Sequence, residues 1–254
     1  MIPRTKTLAL ALLAALLLPG CVQVVAYRTN PTLEARAGQI KSLVLLPPSV
    51  EVFELDAGGV KEKRDEWSSQ AKKNITAAVQ AELKERTALV PTSLSEESVQ
   101  QELKTDFEET LGIFDAVSTA IMLHTYSPPP LRFEEKVKNF DYSLGEEIQR
   151  LKTGKEDAFL LIKGVDHIWT EGRKALQVFG VILGVGAGVA TGIVSIPVLG
   201  GGTFMSLALV DARSGSILWY KPLARGGGYD FRDPASVNSL VKELFKDFPL
   251  GKEK

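Results

Sequence analysis

Side chains that carry out catalysis or bind metals are scarce in this chain of 254 residues. It contains one cysteine, Cys21, and two histidines, His124 and His167. A single cysteine excludes an internal disulfide and a cysteine cluster for a metal, and the histidines are too far apart in sequence to form a helical zinc pair. No serine–histidine–aspartate signature is found. The sequence therefore predicts a protein that is not an enzyme and that uses no metal or cofactor.

An excess of one charge sign is also lacking. The chain has 30 basic and 31 acidic residues, a net charge of −1 at pH 7, and no basic stripe. We therefore expect no nucleic-acid partner, because nucleic-acid binding depends on clustered positive charge. The hydrophobic fraction of 44% and the charged fraction of 24% are typical of a globular protein. Without disulfides, its stability must come from a hydrophobic core.

The first 20 residues have the layout of a secretory signal. Arg4 and Lys6 form a short basic front, and residues 8–18 form an uninterrupted apolar run. Such a run is too short for a membrane-spanning helix, which needs about 20 apolar residues. We therefore expect export of the chain and removal of residues 1–20, which leaves 28 basic against 31 acidic residues.

The residues LPGC at positions 18–21 resemble the lipobox of bacterial lipoproteins. In that motif Leu18 stands three positions before the cleaved bond, the small Gly20 gives the peptidase access, and the thiol of Cys21 attacks the lipid donor. We therefore predict that Cys21 is the lipid attachment site and that the membrane is a partner through this lipid anchor. Val22 follows, where an aspartate commonly favours inner-membrane retention, so the periplasmic side of the outer membrane is the expected location.

The mature chain is predicted to be a tether followed by one domain. Residues 21–41 form the tether, with little fixed structure expected in 22–38, and residues 42–254 form a single periplasmic α/β domain. A brief helix is expected after Ser143, with Glu146 in capping-box position. Periodicity predicts strands at 42–46, 50–55, 87–91, 157–165, 205–210 and 217–220, and helices at 64–86, 95–122 and 233–248.

This order of elements predicts a mixed sheet with helices packed on it. The strand pair around DARSGS is expected to be a hairpin, with Gly215 available for a positive φ. The last helix has the clearest signal, because Asp233 can cap it and Pro234 can occupy its first turn. Large apolar residues on the inner faces of these elements should be buried together: Leu45, Ile75, Leu160, Leu207, Trp219 and Leu244.

Three stretches of the chain resemble a group of periplasmic proteins. They are SLVLLPP at 42–48, DAFLLIKGV at 157–165 and LALVDARSGSILWYK at 207–221. Together with the terminal amphipathic helix, they are similar to the curli-secretion, penicillin-binding-protein-activator and TolB amino-terminal group, above all in the aspartate, turn glycine and tryptophan of the hairpin. The resemblance implies a non-enzymatic protein that assembles with, or regulates, envelope machinery.

Formal charge is absent from residues 175–210, a run of 36 positions. Its part at 175–202 is a glycine-rich apolar insertion between two predicted strands. An apolar surface of this size rarely faces water alone. No lysine follows the glycines as in a phosphate-binding loop, so a nucleotide is not expected. Glycines recur every four residues, as in closely packed membrane helices, at positions 180, 184, 188 and 192.

Three interpretations of the insertion stay open. The first is an excursion packed on its own domain or on another subunit. The second is contact with or insertion into the membrane, where two β-strands of about 10 residues would return the chain to the same side. The third is a single membrane helix, which would put the flanking strands on opposite sides. We expect residues 178–202 to be an interaction surface that adds little to the fold.

Two weaker signals, for an acid–base pair and for calcium ligands, have simpler explanations. Asp166 and His167 are adjacent and suggest an acid–base pair, but neighbours along a strand point to opposite faces of the sheet. Four pairs of glutamates suggest calcium ligands, but solvated helix faces explain them better. These pairs are Glu96–Glu97, Glu108–Glu109, Glu134–Glu135 and Glu146–Glu147.

The sequence thus predicts a lipid-anchored, periplasm-facing accessory or assembly protein of the bacterial envelope, which contacts an envelope protein or associates with itself. An alternative is a subunit of an oligomeric outer-membrane pore or secretion channel, built from many copies of the apolar insertion. A third hypothesis is a protein that handles a small ligand or a glycan, which requires a pocket lined by converging polar groups.

Overall fold

The computed structural model describes residues 26–251, apart from 57, 88, 90, 171–200 and 227. Within these residues, eight strands form one mixed sheet, and helices pack on both of its faces. The predicted fold class, a mixed sheet with helices packed on it, is confirmed.

The strands run in the order β1-β8-β7-β6-β2-β5 across the sheet, with β3 beside β6 and β4 beside β3. Their bounds are β1 Arg28–Thr29, β2 Leu43–Leu45, β3 Ser49–Leu55, β4 Lys61–Lys63, β5 Thr92–Ser93, β6 Ala158–Trp169, β7 Gly202–Asp211 and β8 Ile217–Gly226. The described helices are α1 Leu33–Ala37, α2 Asp65–Arg86, α3 Glu96–Ser98, α4 Lys104–Ile121, α5 Glu134–Asn139 and α6 Pro234–Leu244.

Four shorter helical segments, two π-helical and two 3₁₀, accompany these helices. A π-helical segment, Val99–Leu103, joins α3 to α4, and a second one, Met122–Tyr126, continues α4, so helical structure runs through 96–126. The helix predicted at 95–122 is therefore confirmed and is slightly longer. Two 3₁₀ segments complete the set, Glu146–Leu151 and Phe245–Asp247.

Strand β6 is the centre of the sheet. Its first residues pair in parallel with β2, and from Lys163 onward it pairs in parallel with β3. Pro47 and Pro48 separate these two strands, because proline cannot donate a ladder hydrogen bond and interrupts the pairing. On its other side β6 pairs antiparallel with β7 from Ala158 to His167. The central strand predicted at 157–165 is confirmed and extends further.

Two clusters of buried apolar side chains lie on the two faces of the sheet. One lies between the sheet and helices α2 and α6, and the other between the sheet and the helical run 96–126. Even-numbered side chains of β6, such as Leu160, face the first cluster, and odd-numbered ones, such as Phe159, face the second. The predicted core is confirmed, because all six of its residues are buried in the first cluster: Leu45, Ile75, Leu160, Leu207, Trp219 and Leu244.

The segment just before the predicted domain belongs to the fold. Arg28 and Thr29 pair with Tyr220 and Trp219 at the edge of the sheet, and Leu33 is buried in the first cluster. Expecting little fixed structure at 22–38 is therefore wrong for residues 26–38. Periodicity could not show this, because a two-residue strand is held by the free edge of β8, which is distant in sequence.

Two other predictions of local structure are wrong. The strand expected at 87–91 is found at Thr92–Ser93. Leu45 in β2 pairs with Ser93, and its carbonyl oxygen accepts the backbone N–H of Leu94. Ser143 does not cap the following helix, since the chain there makes a bridge to Ser216 and the 3₁₀ turn begins after Gly145.

The hairpin and the last helix are confirmed. Strands β7 and β8 pair antiparallel, and Gly215 in their turn has a φ of +68°. Asp233 caps α6 by accepting the backbone N–H groups of Ala235 and Ser236, and Pro234 occupies the first turn. The α-helix ends at Leu244, earlier than the predicted 248, because a 3₁₀ turn follows.

Candidate functional site

A cleft of about 410 Å³ lies between the end of the helical run 96–126 and the upper halves of strands β6, β7 and β8. The side chains of one face of β6 point into it at every second position, from Lys163 through Val165 to His167. The helical wall contributes six residues, Ser118, Thr119, Met122, Leu123, Tyr126 and Ser127, and the other strands contribute Gly202, Phe204 and Tyr220.

The N-terminal strand holds the helical wall in place. The Arg28 guanidinium donates to the backbone carbonyl oxygen of Thr125 at 2.8 Å and lies 5.3 Å from the centre of the Tyr126 ring. Thr125 is buried and donates its hydroxyl to the carbonyl oxygen of Ile121 at 2.8 Å. The segment expected to be a loose tether therefore fixes the position of one wall of the cleft.

The closed end of the cleft is lined by three buried hydroxyl groups, those of Ser118, Tyr126 and Tyr220. None of them makes a hydrogen bond of good geometry to a described residue, although the hydroxyls of Ser118 and Ser206 lie near enough to the Tyr220 hydroxyl to interact with it. Burial raises the pKa of both tyrosines above the ordinary value of 10.0, so both hydroxyls stay protonated and can donate. A buried hydroxyl without a partner costs about 1 to 3 kcal/mol, which a bound polar group would recover.

One cationic side chain lines the same cleft. Lys163 forms an ion pair with Asp115 of α4 and is only 23% exposed, whereas Asp115 is 61% exposed. Burial lowers the pKa of Lys163, and the nearby Glu51 carboxylate partly opposes that change. Among the described residues that line the cleft, none is acidic.

The open end of the cleft lies at His167 and Gly202. His167 stacks on Phe53 with 5.5 Å between ring centres, and it pairs across the sheet with Gly202, the first residue of β7. Burial, and to a smaller extent the Lys61 charge, lower the pKa of His167. A neutral imidazole is therefore expected at the mouth near neutral pH.

Asp166 and His167 do not form an acid–base pair. His167 lines the cleft, while Asp166 lies on the opposite face and accepts the backbone N–H of Phe231 at 2.8 Å. Burial is the main reason why the pKa of Asp166 rises to about 7, and the Asp230 charge adds to it. The expectation that these two side chains point to opposite faces is confirmed.

The four glutamate pairs are all solvent-exposed on their helices, as the solvated-face explanation predicts. No group of three or more histidine, cysteine, aspartate or glutamate side chains suited to a metal occurs in the described part of the chain. Among the same residues, no helix is both long and apolar enough to cross a membrane. Cys21 and residues 175–200 lie outside the described residues.

The cleft was not visible in the sequence. Its lining comes from four separate elements, and its hydroxyl groups belong to residue types that are common everywhere in the chain. One signal was available: Lys163 interrupts the apolar run of a central strand, where a charged side chain needs a partner or an opening. After Asp157 at its start, the run DAFLLIKGV contains one charged residue, which is Lys163.

No known protein family and no curated protein matches this sequence. Among solved structures, it is similar to a PelC dodecamer from Paraburkholderia phytofirmans, with 10% identity, a TM-score of 0.34, and coverage of 90% of this chain and 96% of that chain. It is also similar to the lipoprotein GNA1162 from Neisseria meningitidis, with 12% identity, a TM-score of 0.32, and coverage of 82% and 99%. Similarity at this level assigns neither a function nor a subunit arrangement to the present chain. The resemblance to the curli-secretion group stays a prediction.

Proposed function

We propose that this chain is a lipid-anchored accessory or assembly protein of the bacterial envelope, non-catalytic and facing the periplasm. Acyl chains on Cys21 attach it to the outer membrane, and the apolar insertion at 175–202 contacts the membrane or a second subunit. The signal layout and the LPGC motif support the anchor.

The observation that carries the role of the insertion is the pairing of β6 with β7. His167 and Gly202 are partners in an uninterrupted antiparallel ladder, so residues 171–200 leave and re-enter the sheet at neighbouring positions. Ends that meet in one sheet argue against a single membrane-spanning helix, whose ends are about 30 Å apart. The pairing thus supports an insertion that starts and finishes on the side of the membrane where the domain lies.

The anchor is tested by replacing the attachment residue. Cys21→Ser should abolish labelling of the protein by a fatty acid supplied to growing cells, as detected by denaturing electrophoresis. It should also release soluble or unprocessed protein. Gln23→Ser, two positions later, is the matched control and should label normally. If Cys21→Ser still labels and still fractionates with membranes, the anchor assignment is wrong.

The location is tested at the next residue. Val22→Asp should move the lipidated protein into inner-membrane fractions of its own host, whereas Val22→Ala should leave it in the outer membrane. Recovery of the unaltered protein from the inner membrane contradicts the proposed location.

The same strand pairing favours a second candidate, a subunit of an oligomeric pore or secretion channel. A segment that returns to its starting side can supply a membrane hairpin, and a channel needs many such copies. Crosslinking in intact membranes distinguishes the two functions. A ladder of self-linked species that disappears when the insertion is replaced supports the channel, while links to a different envelope protein support the accessory role.

A further inference from the structure

The closed end of the cleft has the chemistry of an anion site. Lys163 has three N–H donors; Asp115 is its ion-pair partner across the cleft wall, and the Glu51 carboxylate is a second acidic group nearby. The hydroxyls of Ser118 and Tyr220 are buried there and lie near each other, and a hydroxyl proton of this group can rotate toward a bound anion. A carboxylate placed among these groups would receive charge-assisted hydrogen bonds, which are about twice as strong as neutral ones.

The rest of the cleft is apolar. Between Lys163 and His167 its walls are formed by Val165 and Phe204 from the sheet and by Met122 from the helix. These positions span roughly 13 Å along β6, since four residues of a strand rise about 3.3 Å each. Leu123 lies at the rim and is 42% exposed, which continues the apolar wall to the surface.

We propose that this cleft binds a single-chain amphiphile with an anionic head, of which a long-chain fatty acid is the simplest example. The carboxylate lies at the closed end against Lys163 and the hydroxyls of Ser118 and Tyr220. The hydrocarbon chain runs past Val165 and Phe204 to the mouth beside His167. The basis is the juxtaposition of one cation and buried hydroxyl donors with an apolar channel in which no described lining residue is acidic.

The probe for this site is palmitic acid that carries a photoreactive diazirine near the middle of its chain. It is added to membranes that contain the full mature protein, and labelled peptides are identified by mass spectrometry after irradiation. The matched probe is the corresponding long-chain alcohol with the same diazirine. We expect the acid to label the peptides that carry Met122, Leu123 and Phe204, and to label them more strongly than the alcohol does.

Three variants test the head-group contacts. Lys163→Gln should reduce labelling by the acid about tenfold, as expected for a lost charge-assisted bond, and should leave labelling by the alcohol unchanged. Asp115→Asn should increase labelling by the acid, because it removes the anion that competes for Lys163. Lys152→Gln, on a partly exposed lysine outside the cleft, is the control for general loss of positive charge.

Steric block of the channel tests the chain-binding part. Val165→Trp should abolish labelling by both probes, and Val137→Trp, on α5 and outside the lining, should not. Thermal unfolding checks that each variant folds; if Val165→Trp does not fold, Thr119→Trp on the exposed helical wall replaces it. Unchanged labelling by the acid in folded Lys163→Gln and tryptophan-blocked variants overturns the proposal. Equal labelling by acid and alcohol in the unaltered protein, or labels outside the cleft, overturns it as well.

Discussion

The carboxyl group of Asp166 is held in an environment that opposes its ionisation. Its pKa rises from 3.8 to about 7, mainly through burial, with the Asp230 charge adding and the Phe231 backbone N–H and Arg232 subtracting. The neutral form is favoured in the folded state. The stability that Asp166 contributes is therefore fully present below about pH 4 and is lost as the pH rises through about 7.

We expect Asp166→Asn to remove this dependence. Asparagine keeps an oxygen that can accept the Phe231 N–H, but it cannot ionise. The difference in unfolding free energy between the variant and the unaltered protein should therefore shift in favour of the variant by on the order of a few kcal/mol between about pH 4 and about pH 8. Urea unfolding followed by tryptophan fluorescence measures the difference across the pH range. Asp141→Asn is the sign control, because the bonded Lys136 lowers the pKa of Asp141 and the difference should change in the opposite direction. A flat difference curve for Asp166→Asn contradicts the assignment.

Substitution of two glycines by alanine should change the stability of the protein in opposite directions. Gly215 has a φ of +68°, and a Cβ there would collide with the carbonyl oxygen of Gly145. Gly215→Ala should therefore destabilise the protein by about 1 to 3 kcal/mol. Gly112 lies in the exposed middle of α4, where a Cβ has open space. Gly112→Ala should stabilise the protein by up to about 1 kcal/mol. Thermal unfolding of both variants under one condition checks the pair, and a shift of the same sign in both would be inconsistent with these backbone conformations.

Among the helices and strands, turn and cap residues predicted the features that depend on contacts within a few residues. The hairpin around Gly215 and the cap at Asp233 were visible because turn and cap chemistry lies within a few residues. The strands at Arg28–Thr29 and Thr92–Ser93 were missed or displaced, because two residues carry no period and their partners lie far along the chain. For the same reason the candidate cleft, built where α4 ends above three strands, could not be read from the sequence.

The cap of α6 has a measurable role of its own. Asp233 accepts two backbone N–H groups that the first turn would otherwise leave without partners, and these bonds lower its pKa. Asp233→Ala should lower the melting temperature by about 2 to 4 °C, while Asp233→Asn keeps an acceptor and should lower it much less. Differential scanning calorimetry compares the two. Equal losses would mean that the side-chain acceptor is not what stabilises the helix start.

The whole molecule is organised around one strand. The parallel partners β2 and β3 follow each other along one edge of β6, and the antiparallel β7 covers the other edge, so both apolar clusters include side chains of β6. The described pairs from Ala158–Asp211 to His167–Gly202 form this ladder without any residue between 171 and 200. Because β6 and β7 pair directly with each other, we expect the sheet to form without the apolar insertion.

The last prediction follows from that closure. Residues 175–198 are replaced by a short glycine–serine linker, and Gly201 and Gly202 are kept, because a Cβ at Gly201 would meet the carbonyl oxygen of His167. The melting temperature of the lipidated protein should change by no more than about 2 °C, since strands β6 and β7 pair directly with each other up to His167 and Gly202. Leu209→Ala in the first cluster is the comparison and should cost about 2 to 5 kcal/mol. Detergent extraction and membrane crosslinking of the linker variant should change even though its fold does not, because the proposed function assigns the insertion a contact with the membrane or a second subunit. A loss of stability as large as that of Leu209→Ala would show that the insertion is part of the core.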